Sequence, residues 1–307
     1  MPKLFYAFLT ILALSLAACQ STQNNSAQSI PDTLEKSLLW ELTGPGIKKP
    51  SYIFGTIHLI AEKDYFWTDK MDEHFAKTKR LVMEIDMSKM MATGMQMLQL
   101  APMDEGKTLK DLLSEEDYEL VKNYFEKETK SKEAKMVPFS MLANWKPMLL
   151  TSYVYVDMID GDTKTYEMEL MYKAQKAEMT FGGLETIQDQ MDVFAKIPYE
   201  DQAEQLVEMI KETKKEQTGE NEFDKMVDLY KKQDVDGLLN ATTGDMDEME
   251  GGQELLLDNR NKNWIPLILE MAKKEPVFFA VGAGHLGGKT GVIRLLMKEG
   301  YKLTPVK

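Results

Sequence analysis

Two short stretches place a histidine three residues after a glycine at the end of an apolar run: Gly55-Thr-Ile-His58 in "YIFGTIHLI" and Gly282-Ala-Gly-His285 in "FFAVGAGHL". The chain has only three histidines, so two in matching contexts exceed what composition suggests. The third, His74 in "MDEHFAKTK", lies on a polar helical stretch and reads as a solvated residue. Carboxylates occur in comparable surroundings. "RLVMEIDM" puts Glu84 and Asp86 two apart, hence on one side of an extended chain, and "MTFGGLET" delivers Glu185 after a glycine turn. Burying a Glu there is costly unless a metal or another cation compensates it. Two imidazoles with one or more carboxylates form a ligand set for a divalent metal such as Mn, Co or Zn, with an open position for a water to be activated. In a plainer reading the carboxylates cap helices or pair with lysines, and the histidines hydrogen-bond in a closed crevice. Strand-end spacing alone leaves both readings open.

These side chains need strands to carry them. "SLLWELTG" and "PSYIFGTIHLI" are β-favouring runs separated by a Gly, Pro and Lys turn, which predicts a hairpin. Further strands are expected at Arg80–Asp86, Glu178–Glu185, Val277–Gly282 and Tyr301–Val306. Each histidine then sits just past the carboxyl end of a strand, where open α/β sheets place their ligand crevice, and the preceding glycine permits a tight exposing turn. Helical spacing fills the intervals, with a capping signature at Ser114 before Glu115, Glu116 and Asp117. The segment "QELLLDNRNKNWIPLILEMAKK" also reads as helical, punctuated by Pro266. The expected fold is α/β: a mixed central sheet with helices on both faces over residues 34–307, and a helical, Met-rich cap inserted at about 87–175. With 43% hydrophobic and 28% charged residues, 307 residues suffice for one substantial core.

The glycines after Val281 also resemble nucleotide motifs. Gly282, Gly284 and Gly287 satisfy G-x-G-x-x-G, but the following strand "YKLTPVK" offers no acidic residue for a ribose. "AGHLGGKT" approaches a P-loop, with Ala283 in place of the first glycine and His285 inside the anion cradle. No nucleotide is expected. A formal net charge of −13 argues against nucleic acid, whose phosphates call for clustered Lys and Arg.

The N-terminus, "MPKLFYAFLTILALSLAACQS", has one early cation and an apolar run from Leu4 to Ala18 that is short for a spanning helix, as in an export signal over residues 1–18. The only cysteine, Cys19, closes "LAAC", which resembles a bacterial lipobox and implies lipidation at Cys19. An uncleaved anchor, or a signal with a chance cysteine, is the alternative. Polar residues 20–29 read as a tether, so that residues 19–33 link the anchor to the domain. The expected location is the bacterial cell envelope, anchored in the membrane; Gln20 after the cysteine resembles the outer-membrane rule of enteric bacteria, facing the periplasm. Without a second cysteine the mature domain has no intramolecular disulfide and no thiolate nucleophile.

Taken together, "LLWEL", "SYIFGTIHL", "LVMEID", "GGLETIQDQMDVF", "LLLDNRNKNWIPLI" and "VGAGHLGGKTGVIRLLMKEGY" resemble the TraB/GumN family, which includes the Tiki metalloproteases and plasmid pheromone-shutdown proteins. The family's paired G-x-x-H motifs match Gly55/His58 and Gly282/His285, its strand-end Glu matches Glu84, the Glu of "GLET" is Glu185, and its "R-N-x-x-W" arginine is Arg260. The resemblance implies metal-dependent peptide-bond hydrolysis. The metal would lie on His58 and His285 with Glu84 and Glu185; one Glu would serve as general base, and Arg260 would stabilise the oxyanion.

Methionines crowd "MSKMMATGMQMLQLAPM". Thioethers bind copper, yet Met87, Met90, Met91 and Met95 fall at helical spacing, where Met is an adaptable core filler; a cap helix is the favoured reading. "MVPFSMLANWKPMLL", with Trp145, reads either as a groove lining or as ordinary packing. Two functions follow: a peptidase acting on a peptide or protein substrate, or a non-catalytic envelope protein that sequesters a peptide or small hydrophobic ligand in the same crevice.

Overall fold

A computed structural model describes residues 30–215, 222–247 and 251–307. The expected signal, Cys19 and most of the tether lie outside these residues.

The six-stranded sheet is built from β1 (Leu39–Thr43), β2 (Ser51–Thr56), β4 (Arg80–Ile85), β6 (Thr180–Glu185), β7 (Val277–Gly282) and β8 (Lys302–Pro305). Its order is β6-β4-β7-β2-β1-β8. The run β6-β4-β7-β2 is parallel, whereas β1 is antiparallel to both neighbours. A small antiparallel pair, β3 (Ile60–Ala61) and β5 (Thr163–Lys164), closes the loop after β2. All strands expected from the sequence form, including the β1–β2 hairpin, whose turn uses Gly46 at a φ of +80°.

Every residue of β2 is buried, which explains its continuous apolar sequence: a strand inside a parallel array has no solvent face. Phe54 and Phe278 meet Trp67, Phe75 and Tyr166 on one side of the sheet. These come from the loop after β3 and from helices Asp69–Phe75 and Tyr166–Lys176. The alternate residues Ile53, Phe279 and Val281 serve the other side, with Trp264, Ile265 and Ile268 of the helix Asn259–Lys274 in the same core. That helix runs through Pro266 without ending and follows a π-helical turn at Glu254–Asp258. Ser114 caps Glu115–Asn123 by accepting from the Asp117 amide, as the sequence predicts.

A second core joins residues Ala101–Val154 to Ile187, Met191 and the stretch Ala203–Ile210. Its main contact is the helix Tyr199–Lys215 along Pro147–Met158. Trp145 is buried here, so its segment packs rather than lining the crevice; Tyr166, Leu170 and Ala174 belong instead to the core of the sheet. The methionine expectation requires correction. The helix Met90–Leu100 has no buried residue, and Met91 and Met95 are 83% and 62% exposed, so helical spacing at these positions does not report core packing. Only Met87, just before the helix, packs against the sheet core. Among the described residues no helix is long and apolar enough to cross a membrane.

Candidate functional site

The four parallel strands deliver their last residues side by side. In sheet order these are Glu185 at the end of β6, Glu84 near the end of β4, Gly282 leading to His285 after β7, and Thr56 leading to His58 after β2. Ile85 and Glu185 are register partners, so Glu84 stands one residue from the level of Glu185. Residues as far apart in sequence as 58 and 285 thus share one sheet edge. Asp86, two residues beyond Glu84, leaves the cluster and caps the following turn through the Ser88 amide.

Arg260, on the first turn of Asn259–Lys274, sits at the centre. Its Nη2 donates to Glu84 Oε2 (2.6 Å) and Glu185 Oε1 (2.5 Å), its Nε to Glu185 Oε2 (3.2 Å), and its Nη1 to the Leu256 carbonyl (2.9 Å) and His285 Nε2 (3.2 Å). Three more donors complete the carboxylates. The Gly282 amide reaches Glu84 Oε1 (2.8 Å), Gln190 Nε2 reaches both Glu84 (3.2 Å) and Glu185 (2.7 Å), and Trp264 Nε1 reaches Glu185 Oε2 (3.2 Å). The Trp264 ring also packs against His285 at 4.4 Å and under the Arg260 guanidinium at 5.0 Å.

The pattern sets protonation. Burial works to raise the Glu84 carboxyl, but neighbouring positive charge and the Gly282 amide outweigh it and bring the group down to about 2. His285 is buried, and burial together with Arg260 lowers it to about 3, so at neutral pH the charge that holds Glu84 is that of Arg260, assisted by His58. Because Arg260 donates to Nε2, the neutral imidazole carries its proton on Nδ1 and donates it to Asn261 Oδ1 (2.7 Å). The Asn261 amide nitrogen is committed to the Thr290 carbonyl (3.0 Å), which fixes its oxygen toward His285.

His58 is different. Its side chain is 73% accessible and its Nδ1 bonds Glu167 Oε1 (3.0 Å), which also accepts from Thr56 Oγ1 (2.9 Å). The Glu167 carboxylate raises the imidazole to about 9. The site therefore pairs a protonated, open histidine with a closed, neutral one, and both lie within electrostatic reach of Glu84 and Arg260.

Neither motif glycine has a positive φ. They are required for close approach rather than for a special turn. A Cβ on Gly55 would lie 2.8 Å from Leu286 Cδ1 and 3.1 Å from Ala283, so the two G-x-x-H segments pack backbone to backbone. A Cβ on Gly282 would approach Glu84 Oε1 at 3.3 Å. Gly287 faces the Val235 carbonyl, and the Gly288 amide is bonded by Asp236 Oδ1 (2.9 Å), so a carboxylate of the chain already sits on the glycine-rich loop.

A divalent ion does not fit among these residues while Arg260 is seated. The guanidinium bridges the two carboxylates and takes the His285 lone pair, and His58 is held by Glu167. Among the described residues no group of three or more His, Cys, Asp or Glu side chains is spaced to hold a metal. Glu84, Glu185, Arg260 and His285 come together, whereas His58 faces them from β2. Sequence reasoning missed Glu167, Gln190, Asn261 and Trp264. The last two lie in the quoted "RNKNW" and Gln190 in "GLETIQDQ", where the spacing from Arg260 and Glu185 was available as a signal; Glu167 carries none.

Residues 38–305 match the model of the TraB/PrgY/gumN family. Comparison with curated proteins and with solved structures finds no match.

Proposed function

The chain belongs to the TraB/PrgY/gumN family, and from that premise we propose that the crevice at the carboxyl edge of the sheet is the active site of a hydrolase that cleaves a peptide bond. One observation carries this reading: an open, protonated His58 faces a nearly closed cluster of ionised carboxylates and guanidinium. In the proposed step Glu84 accepts the proton of the attacking water, and the Arg260 guanidinium, whose N–H groups are held within the cluster, stabilises by its charge the oxyanion that develops on the substrate carbonyl. His58, oriented by Glu167 at Nδ1, donates from Nε2 to the departing amine. The ion implied by the family resemblance would have to displace Arg260 from between the two carboxylates. Attachment to the cell envelope through Cys19 belongs to the same proposal.

A second reading, binding without turnover, is favoured by a different observation. Glu84 near 2 and His285 near 3 lie far below neutrality, and a general base works best near the operating pH. One experiment separates them: incubate the purified protein with a mixed peptide library and follow products by mass spectrometry. Cleavage that disappears in His58→Gln and Glu84→Gln, both still folded, supports the hydrolase. Peptide retention without products would replace it with the binding protein.

A further inference from the structure

Beside His58 the crevice deepens into a cavity of about 370 Å³, at the lower end of the roughly 300–1,000 Å³ typical of small-ligand sites. Its walls include Ile57 and Leu59 from the loop after β2, Tyr155 from Pro147–Met158, Phe223 and Met226 from the helix Glu222–Lys231, and Leu238. Among the described residues His58 is the only acidic or basic one that lines it. Four of the hydroxyls that face it are already bonded within the protein: Thr56 donates to Glu167 (2.9 Å), Thr151 to the Met148 carbonyl (2.7 Å), Ser152 to the Leu149 carbonyl (2.6 Å) and Tyr230 to the Gly55 carbonyl (2.9 Å). An occupant therefore gains apolar burial there and few hydrogen bonds, so a polar group entering would be desolvated without replacement partners. The Gly282–Gly284 backbone forms another part of the wall, which joins the cavity to the Glu84 cluster through the Gly282 amide.

We propose that this cavity is a specificity pocket for one large apolar side chain, such as Phe, Leu or Met, on a peptide whose adjoining backbone lies beside His58. The inference rests on the reading of the crevice as a peptide site, but it concerns recognition and not turnover. His58 stands at the junction: the peptide backbone next to the buried side chain passes beside its imidazolium, while that side chain fills the apolar walls. The site thus selects for what the peptide buries, and the charged cluster lies on the other side of His58.

The test is fluorescence anisotropy of labelled pentapeptides that differ only in the central residue, Phe, Leu, Ser or Asp, titrated with the full-length protein. Phe and Leu peptides are expected to bind at least tenfold more tightly than Ser and Asp peptides. The preference should vanish in Ser152→Trp, whose ring fills the cavity, and in Met226→Glu, which puts a charge on its wall; circular dichroism melts establish that each variant is folded. Equal binding of all four peptides, binding of none, or a preference that survives both variants overturns the proposal. Selective binding without cleavage removes the hydrolase reading and leaves the pocket, whereas cleavage without selectivity does the reverse.

Discussion

Replacing Arg260 by Met keeps the length and packing of the side chain but removes the charge between Glu84 and Glu185. Glu84 would keep the Gly282 amide and Gln190, and Glu185 would keep Gln190 and Trp264, so both retain neutral donors. What they lose is their shared counter-charge. Removing one partner of a buried ion pair costs about 3–5 kcal/mol because the remaining charge has no compensation. At roughly 2 °C per kcal/mol for a domain of this size, the melting temperature at pH 7 should fall by about 6–10 °C. With burial no longer opposed by that charge, Glu84 in the variant would titrate above its unfolded value, so the penalty exists above that raised pKa and lifts as pH falls through it. The gap between variant and wild type should therefore narrow toward pH 5. Neutralising the carboxylates as well, in Arg260→Met with Glu84→Gln and Glu185→Gln, should recover most of the loss. Thermal melts monitored by circular dichroism across pH 5–8 measure all of this. A single variant that melts within about 2 °C of wild type at pH 7, or a triple variant no better than the single one, would show that Arg260 is not the charge holding the cluster.

The remaining predictions follow from the same geometry. Glu84, held well below its ordinary 4.5 by the charges and the Gly282 amide around it, contributes stability above pH 4.5 that is lost as pH falls through its lowered pKa. His285, held at about 3, adds a loss that begins where the unfolded imidazole takes up its proton near 6.5; urea melts should steepen in acid, and Glu84→Gln should flatten the part below pH 4.5. If His58 is the proton donor, hydrolysis declines as pH rises through about 9, whereas a rate that climbs over that interval makes it a base. Gly55→Ala should cost about 1–3 kcal/mol by overpacking the contact with Ala283 and Leu286, while Gly284→Ala, whose Cβ meets nothing within 4 Å, should melt like wild type. Millimolar Mn, Co or Zn should leave the wild-type melt unchanged while Arg260 is seated and should stabilise Arg260→Met; a wild-type shift that disappears in His285→Ala would establish the ion in the resting site.

How legible the fold was depended on whether the physical cause lay along the chain. β2 and β7 could be read from continuous apolar runs because strands buried on both faces have no polar alternation to show, and the hairpin and the Ser114 cap are local hydrogen-bonding problems solved within a few residues. The methionine run shows the limit of this reasoning. Its period of about four is satisfied equally by a core-facing stripe and by a helix that faces solvent, and only the exposure of Met91 and Met95 in the folded chain distinguishes them. The segment around Trp145 was ambiguous for the same reason.

For the site, the amino-acid sequence by itself determined which side chains stand at strand ends: His58, Glu84, Glu185 and His285 each follow an apolar run that must be a strand, whatever its neighbours. Arg260 came from the family resemblance; Asn261 and Trp264 stand beside it in sequence and Gln190 stands beside Glu185, all three unread. Only the tertiary structure decided the strand order β6-β4-β7-β2, and with it which ends are adjacent. It also decided that Arg260 lies between the two carboxylates, that burial lowers the His285 imidazole, and that Glu167, 109 residues from His58, raises the latter. The reason is physical. Strand formation depends on neighbours in sequence, whereas a pKa and a charge pairing depend on groups a few ångströms away in space, and the chain brings those together only when the sheet closes.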